Sequence, residues 1–176
     1  MKIGVRTILR IASSGLVVLV VLAQFVRPAK TNPIVQADRS MQAHVKIPDD
    51  VAALLKRACA DCHSDETVWP WYSNIAPVSW FVIDHVNHGR KHLNFSEWQN
   101  EAQSIPTRTL DHRLEEILKE VKSGGMPLSS YTLLHPEARL TDQERDRICN
   151  WASEERRRIV RRLKKAGRLT LIESLC

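Results

Sequence analysis

Apolar residues recur at helical spacing along much of this chain, and no stretch alternates between apolar and polar positions as a β-strand would. The clearest pattern precedes the pair Gly124 and Gly125, which can supply the left-handed residue with which many helices end. The apolar positions that share one face in this pattern are Leu110, Leu114, Ile117, Leu118 and Val121. The spacing therefore predicts a helix that ends at the glycine pair.

Two helices are predicted nearer the centre of the chain. The Pro-Asp-Asp sequence at residues 48–50 suits a first helical turn, because proline and acidic residues are favourable there, and this helix runs to Cys59. Pro77 begins a second helix, which ends at about Gly89. The stretch between them, from Asp65 to Pro77, is rich in tryptophan and proline and has no helical period, so we expect an ordered loop.

Two later segments also carry helix signals. Ser96 can begin a short helix, and Thr141 with Glu144 forms a capping box that opens the last helix. Ile148 and Trp151 then lie on one side of that last helix. Since only helices are predicted, the sequence indicates an all-α fold.

The N-terminus contains an uncharged apolar run from Ile11 to Val26. Basic residues precede this run at Lys2, Arg6 and Arg10. Two interpretations are open: an uncleaved transmembrane helix, which we favour, or a signal segment cleaved after the small residues Val21 and Ala23. In both cases the positive-inside rule places the rest of the chain outside the cytoplasm. We expect the domain to face the periplasm from the inner membrane, or to be released into the periplasm after cleavage.

These patterns divide the 176 residues into four parts. Residues 1–28 form the membrane anchor or signal segment, and residues 29–47 form a polar tether. Residues 48–153 form the helical domain, and residues 154–176 form a basic helical tail. A content of 43% hydrophobic and 26% charged residues is that of a globular protein with a real core.

The net charge of +6 is concentrated at the two ends of the chain. No nucleic-acid recognition motif accompanies the basic residues, so we expect no nucleic-acid partner. The tail could lie on anionic headgroups or dock an acidic partner, but a solvated extension of the last helix is the simpler interpretation.

The segment CADCH carries the most specific chemistry in the sequence. One helical turn brings Cys59 and Cys62 to the same side, where their thiols can add to the two vinyl groups of a haem. The adjacent His63 can then bind the iron. A disulfide would leave His63 unexplained, a zinc site usually needs a second paired motif, and a thioredoxin-like pair needs strands. The sequence therefore predicts one covalent haem c.

Met126 is the predicted second iron ligand. It lies in GGMPL, between two predicted helices, where the glycines allow close approach to a ring. A thioether ligand would favour ferrous iron, whereas a core methionine is the commoner role for this residue type. Histidines that could bind the iron instead are His85, His88, His92 and His135.

The loop DETVWPWYSNIAP has two open roles. Trp69, Trp71 and Tyr72 could wall one haem edge, or they could be core aromatics with no cofactor role. A backbone carbonyl of this loop, at Pro70 or Pro77, could accept a hydrogen bond from His63 Nδ1 and fix its tautomer.

The motifs CADCHS, TVWPWYSNIAPVSW, HVNHGRKHLNFSEW, GGMPL and LTDQERDRICNW occur in an order that resembles the bacterial haem-binding domain family, relatives of cytochrome c. The similarity covers about residues 49–151. It implies a cytochrome c-like helical fold in which Cys59 and Cys62 attach haem, His63 is the proximal ligand and Met126 the distal ligand. The basic residues that follow Trp151 lie beyond the similarity.

Three functions are compatible with such a haem protein. We expect a membrane-anchored electron carrier that exchanges electrons with an unidentified redox partner protein. A haem peroxidase is the enzymatic alternative, although the chain has a single CxxCH motif. A haem-based redox or gas sensor is the third, although the sequence contains no output domain.

Overall fold

The computed structural model describes residues 4–98 and 110–165. Within these ranges the chain forms α-helices joined by loops and short 3₁₀ turns, and no β-strand, which confirms the predicted all-α fold. The helices are α1 (Val5–Ala23), α2 (Met41–His44), α3 (Asp49–Ala58), α4 (Ala60–His63), α5 (Val78–His92), α6 (Leu110–Ser123), α7 (Ser129–Leu134) and α8 (Asp142–Lys165).

The core lies where α6 packs along α8 and α3 contacts α8. Val51, Leu114 and Ile148, one from each of these helices, are fully buried there. Burial of each such side chain contributes roughly 1.5–3 kcal/mol to folding. The three-helix core thus provides a frame to which α4, α5 and the connecting loops are attached.

Local signals in the sequence place the ends of these helices correctly. Gly124 follows α6 with φ +75°, the left-handed conformation that glycine adopts without strain. At the start of α8 the Thr141 backbone N–H donates to Glu144 Oε2 at 2.8 Å, and the Glu144 N–H donates to Thr141 Oγ1 at 3.2 Å. The capping box is therefore formed as predicted.

Two predicted helix features differ in the structure. α5 continues past Gly89 to His92, so this glycine lies inside the helix. The described residues from Ser96 to Trp98 are not helical, because Asn94 Oδ1 accepts a hydrogen bond from the Ser96 N–H at 2.9 Å and competes with a helical turn. Any continuation of the short helix predicted at Ser96 lies outside the described residues.

The predicted tether spans residues 29–47, and its second half packs into the core. Met41 and Val45 are buried, and the Met41 N–H donates to the Phe95 carbonyl at 2.7 Å. The Lys46 carbonyl accepts from Trp151 Nε1 at 2.9 Å. Because the segment is polar overall, its composition does not predict that Met41 and Val45 are buried.

The predicted tail also begins inside the folded domain. α8 continues without a break across the predicted boundary at residue 154, and Ile159 is buried in the core. Arg156 forms an ion pair of 2.9 Å with Glu115 of α6. The last helix therefore contributes to packing beyond Trp151, and the part of the tail after Lys165 lies outside the described residues.

α1 is long and apolar enough to cross a membrane. Its 19 residues have a mean hydropathy of 2.0, and none of them is buried against the rest of the chain. At 1.5 Å per residue such a helix is about 28 Å long, close to the ~30 Å of a hydrocarbon core. A signal sequence near an N-terminus has the same properties.

Gly89→Ala should destabilise the domain. A Cβ at this position would overlap the carbonyl oxygen of Cys62 and lie 3.1 Å from its carbonyl carbon. Because both groups are backbone, α5 and α4 must separate, which we expect to cost about 1–3 kcal/mol. Urea unfolding of the full chain, followed by far-UV circular dichroism, measures this cost. Gly15→Ala is the matched control, since a Cβ there meets no atom within 4 Å; identical curves for both variants would contradict the close approach.

Glu144→Gln should remove a pH-dependent contribution to stability. The Thr141 N–H and then the Arg57 guanidinium hold the pKa of Glu144 below its ordinary value of 4.5. This contribution is present above pH 4.5 and is lost as the pH falls through the lowered pKa. Glutamine keeps the capping geometry and removes the charge, so we expect a loss within about 1 kcal/mol at pH 7. Denaturation of both proteins between pH 7 and pH 3 measures it, with Glu66→Gln as an exposed control. A difference that stays constant with pH would refute this assignment.

Candidate functional site

The CxxCH segment forms one tight turn between α3 and α5. α3 ends where Cys59 leaves helical geometry, with φ −130° and ψ −35°, and α4 then occupies the next four residues. The Cys59 carbonyl accepts hydrogen bonds from the N–H groups of Cys62 at 3.2 Å and His63 at 3.0 Å. This single turn holds both thiols and the imidazole beside one another, as their spacing predicts.

A cleft of about 370 Å³ opens next to this turn, within the size range of cofactor pockets. The four predicted site residues Cys59, Cys62, His63 and Met126 all line it. Most of the remaining wall is apolar and comes from Leu55, Ala58, Leu93, Phe95, Ile117, Val121, Pro127 and Leu128. The structure thus brings two segments that are far apart in sequence to one apolar cleft.

The His63 imidazole is oriented by a backbone carbonyl. Its Nδ1 lies 2.9 Å from the Leu93 oxygen, and since a carbonyl only accepts, Nδ1 carries the proton and Nε2 is left to bind a metal. Our expectation that Pro70 or Pro77 provides this carbonyl is wrong. Leu93 does so because α5 packs on α4 and ends at His92, directly beside the ring.

Burial keeps His63 in the form that can bind a metal. Desolvation lowers its pKa from the ordinary value of 6.5, although the hydrogen bond to the Leu93 carbonyl acts in the opposite direction. The imidazole is therefore neutral at pH 7, as metal coordination requires.

Burial favours the protonated form of the two thiols of the motif. Burial raises the pKa of Cys59 to about 12, with a further contribution from Cys62, and burial raises the pKa of Cys62 to about 11. Both are free thiols rather than a disulfide. Redox-active thiol pairs have a lowered pKa instead, so this pair lacks the electrostatic environment of a thioredoxin-like site.

Met126 is held at the cleft by backbone hydrogen bonds. Its N–H donates to the Glu120 carbonyl at 3.1 Å, so the loop folds back on the end of α6. Arg145 of α8 donates through Nη1 to the carbonyls of Val121 at 3.1 Å and Met126 at 3.3 Å. The guanidinium therefore joins α6, the GGMPL loop and α8 at one point, and it positions the methionine.

The four alternative histidines separate into two groups. His85, His88 and His92 also line the cleft, so the structure leaves the choice between them and Met126 open. His135 lies elsewhere: its Nε2 accepts from the Tyr72 hydroxyl at 2.7 Å, and its Nδ1 donates to Glu137 at 3.0 Å.

The aromatic loop is not part of the cleft wall. Trp69 donates through Nε1 to Asn32 Oδ1 at 3.2 Å, and Trp71 is 74% exposed. Tyr131 lines the cleft instead, and its hydroxyl donates to Asp61 Oδ2 at 2.7 Å. Burial, followed by this hydrogen bond, raises the pKa of Tyr131. Asp61, the residue directly before Cys62, thus holds the aromatic ring of Tyr131 beside the two cysteines.

Sequence reasoning missed three positions that shape the site: Gly89, Leu93 and Arg145. An isolated glycine within a helical pattern is a signal for close packing, and Gly89 could have been found in this way. Leu93 acts through its backbone, which leaves no signature in the side-chain pattern. Arg145 resembles any other charged residue on the polar face of a helix, so its pairing with backbone carbonyls follows only from the tertiary fold.

Comparison with known proteins identifies the family. A model of the haem-binding domain family matches residues 18–154, which include the CxxCH turn, the cleft and the GGMPL loop. No curated protein and no solved structure matches the chain. Since the family model covers more than half of the sequence, the chain belongs to the haem-binding domain family and is a haem-binding protein.

Proposed function

We propose that this protein is a membrane-anchored electron carrier with one covalently attached haem c. The sulfurs of Cys59 and Cys62 would hold the porphyrin through thioether bonds, and His63 Nε2 and the Met126 thioether would bind its iron. The observation that carries this proposal is that all four side chains line the same apolar cleft. Haem is the cofactor that this combination of two thiols, an imidazole and a thioether suits.

The residues of the cleft fit a haem in three respects. The walls are mostly apolar, as a porphyrin requires, and charged groups reach the cleft chiefly from its α6 side. The His63 tautomer presents Nε2 and not Nδ1 to a metal. The thiols of Cys59 and Cys62 are within one helical turn, and each can add across one vinyl group without an oxidant.

Each of these residues has a distinct task. The Leu93 carbonyl orients His63 and makes it a more basic ligand, whereas Arg145 holds the backbone from which Met126 extends. The thioether of Met126 favours the reduced state of the metal and raises the reduction potential. A bound haem supplies iron that alternates between the ferrous and ferric states.

Coordination of the iron by two side chains would favour electron transfer over catalysis. If His63 and Met126 both bind the iron, they would leave no site for peroxide or a gas, so we place the carrier before the peroxidase and the sensor. The redox partner is a protein that approaches the cleft, and nothing is consumed or made by this chain.

We further propose that α1 anchors the protein in the inner membrane. Its 19 apolar residues suffice to span a bilayer, and the basic residues at the N-terminus favour a cytoplasmic location for that end. The haem-binding domain then lies in the periplasm. Cleavage after Ala23 would release the same domain as a periplasmic protein.

Replacement of both Cys59 and Cys62 by serine should leave haem extractable by acid acetone. Without thioether bonds the cofactor is held by coordination and packing alone, whereas the unchanged protein should retain it. Intact-mass spectrometry of the exported protein provides the second measurement. Cys149→Ser is the control, because this half-buried thiol lies beside the Leu118 carbonyl and away from the turn. Covalent haem in the double variant, or a native mass equal to the polypeptide alone, would refute the attachment.

Met126→Ala should open one iron position and lower the reduction potential. The weak methionine-to-iron band at the red end of the ferric spectrum should disappear, and cyanide and carbon monoxide should bind faster. Optical titration of both proteins measures these changes. Leu128→Ala is the matched control, since Leu128 lines the same cleft and has no sulfur.

The spectra also separate the alternatives. An unchanged spectrum in Met126→Ala would reject this ligand in favour of His85, His88 or His92, which share the cleft. High-spin iron in the unchanged protein that reacts at once with peroxide would instead indicate a peroxidase.

A further inference from the structure

A set of apolar side chains is exposed on the loop before α5 and on the first turn of this helix. We refer to Val68, Trp71, Ile75, Val78 and Phe81 as the aromatic surface; each of them is exposed to solvent. Trp71 is the clearest case, with 74% of its surface exposed. Five exposed apolar side chains within so short a stretch of chain are typical of a surface that contacts another molecule, and unusual for an ordinary solvent-exposed loop.

This surface is joined directly to the end of α1. Gln24, the first residue after α1, uses both atoms of its amide: Nε2 donates to the Ala76 carbonyl at 3.1 Å, and Oε1 accepts from the Ala76 N–H at 3.0 Å. Trp80 Nε1 donates to the Val26 carbonyl at 2.7 Å. Ala76 and Trp80 lie between residues of the aromatic surface, so that surface starts where α1 ends.

The next residues continue along the domain rather than forming a free tether. Arg90 donates to the Thr31 carbonyl at 2.7 Å and to Asn32 Oδ1 at 3.0 Å. Asn32 Nδ2 donates to the Thr67 carbonyl at 2.9 Å. Residues 24–32 are therefore fixed to the domain at both ends, which holds the domain close to the end of the apolar helix.

We propose that the aromatic surface rests in the headgroup region of the membrane that α1 spans. This inference rests on the membrane anchoring in the proposed function. If Ala23 lies at the membrane boundary, residues hydrogen-bonded to Gln24 and Val26 must lie at the same level, within reach of the lipid headgroups. Tryptophan and phenylalanine are favourable in that region, and the adjacent Arg27 and Lys30 suit anionic lipids. Among the described residues, no feature of the aromatic surface supports a protein partner to the same extent.

Docking in this manner fixes the position of the haem site. α5 extends from the aromatic surface at Val78 to the CxxCH turn, which it contacts at Gly89. Eleven residues of helix separate these positions, so the turn lies up to about 16 Å from the membrane surface. A redox partner in the same membrane would thus meet the cleft in one orientation.

Lipid photolabelling of the full chain tests the proposal. The protein is reconstituted in vesicles of phosphatidylcholine and phosphatidylglycerol that contain a lipid with a diazirine near its headgroup, and labelled peptides are identified by mass spectrometry. We expect labels within residues 68–81 as well as in α1. Labels confined to α1, in protein that resists alkaline carbonate extraction, would overturn the docking while leaving the anchor intact. Loss of the protein on extraction would overturn the anchor itself, and the docking with it.

Two exposed substitutions refine this test. Trp71→Ser combined with Phe81→Ser should lower labelling of residues 68–81 several-fold and leave that of α1 unchanged, because neither side chain supports the core. Leu133→Ser is the matched control, since Leu133 is 72% exposed but lies on α7, and labelling should be unaltered. Circular dichroism verifies that both proteins are folded. Undiminished labelling in the double variant would show that these side chains do not insert into the headgroup region. Binding of a protein partner, instead of lipid, to the aromatic surface would also overturn the proposal.

Discussion

The close approach of α5 to the CxxCH turn is the constraint on which the site depends. Gly89 lets the backbone of α5 contact the backbone of Cys62, and the helix then ends so that the Leu93 carbonyl meets His63. A side chain at residue 89 would move α5 away and remove the group that selects the His63 tautomer. The geometry of the motif is therefore set by a helix that begins fifteen residues after it and that touches it through backbone atoms.

A buried polar network fixes the residues that follow the CxxCH turn. Asp65 is almost fully buried, accepts from Asn94 Nδ2 at 3.0 Å, and lies 3.6 Å from the Arg90 guanidinium. Arg90 also donates to the Ser64 carbonyl at 2.7 Å. Loss of one partner of a buried charge pair typically costs about 3–5 kcal/mol, whereas the intact pair contributes little net stability. The network thus specifies how the loop after His63 lies on α5 more than it stabilises the fold.

What the sequence predicts well is local, and what it misses depends on distant packing. The capping box at Thr141, the terminator at Gly124 and the spacing of CADCH are signals within a few residues, and the structure contains each of these local features. The role of the Leu93 carbonyl and the burial of Met41 arise between segments that the chain separates widely. The tryptophan-rich composition likewise predicts an ordered loop, but it does not reveal that the loop's aromatic side chains lie outside the cleft wall.

α5 also links the segment that follows α1 to the CxxCH turn. Its first turn contacts the segment after α1 through Trp80, its last turn contacts Cys62 through Gly89, and Leu93, directly after the helix, reaches His63. A helix of 15 residues is about 22 Å long and stiff over that length, so these contacts are not independent. In the proposed carrier, a displacement of the domain relative to the membrane would move the proximal ligand with it. The haem and the anchor of that proposed carrier would therefore keep a fixed relative orientation, because residues 24–32 are hydrogen-bonded to the domain at both ends.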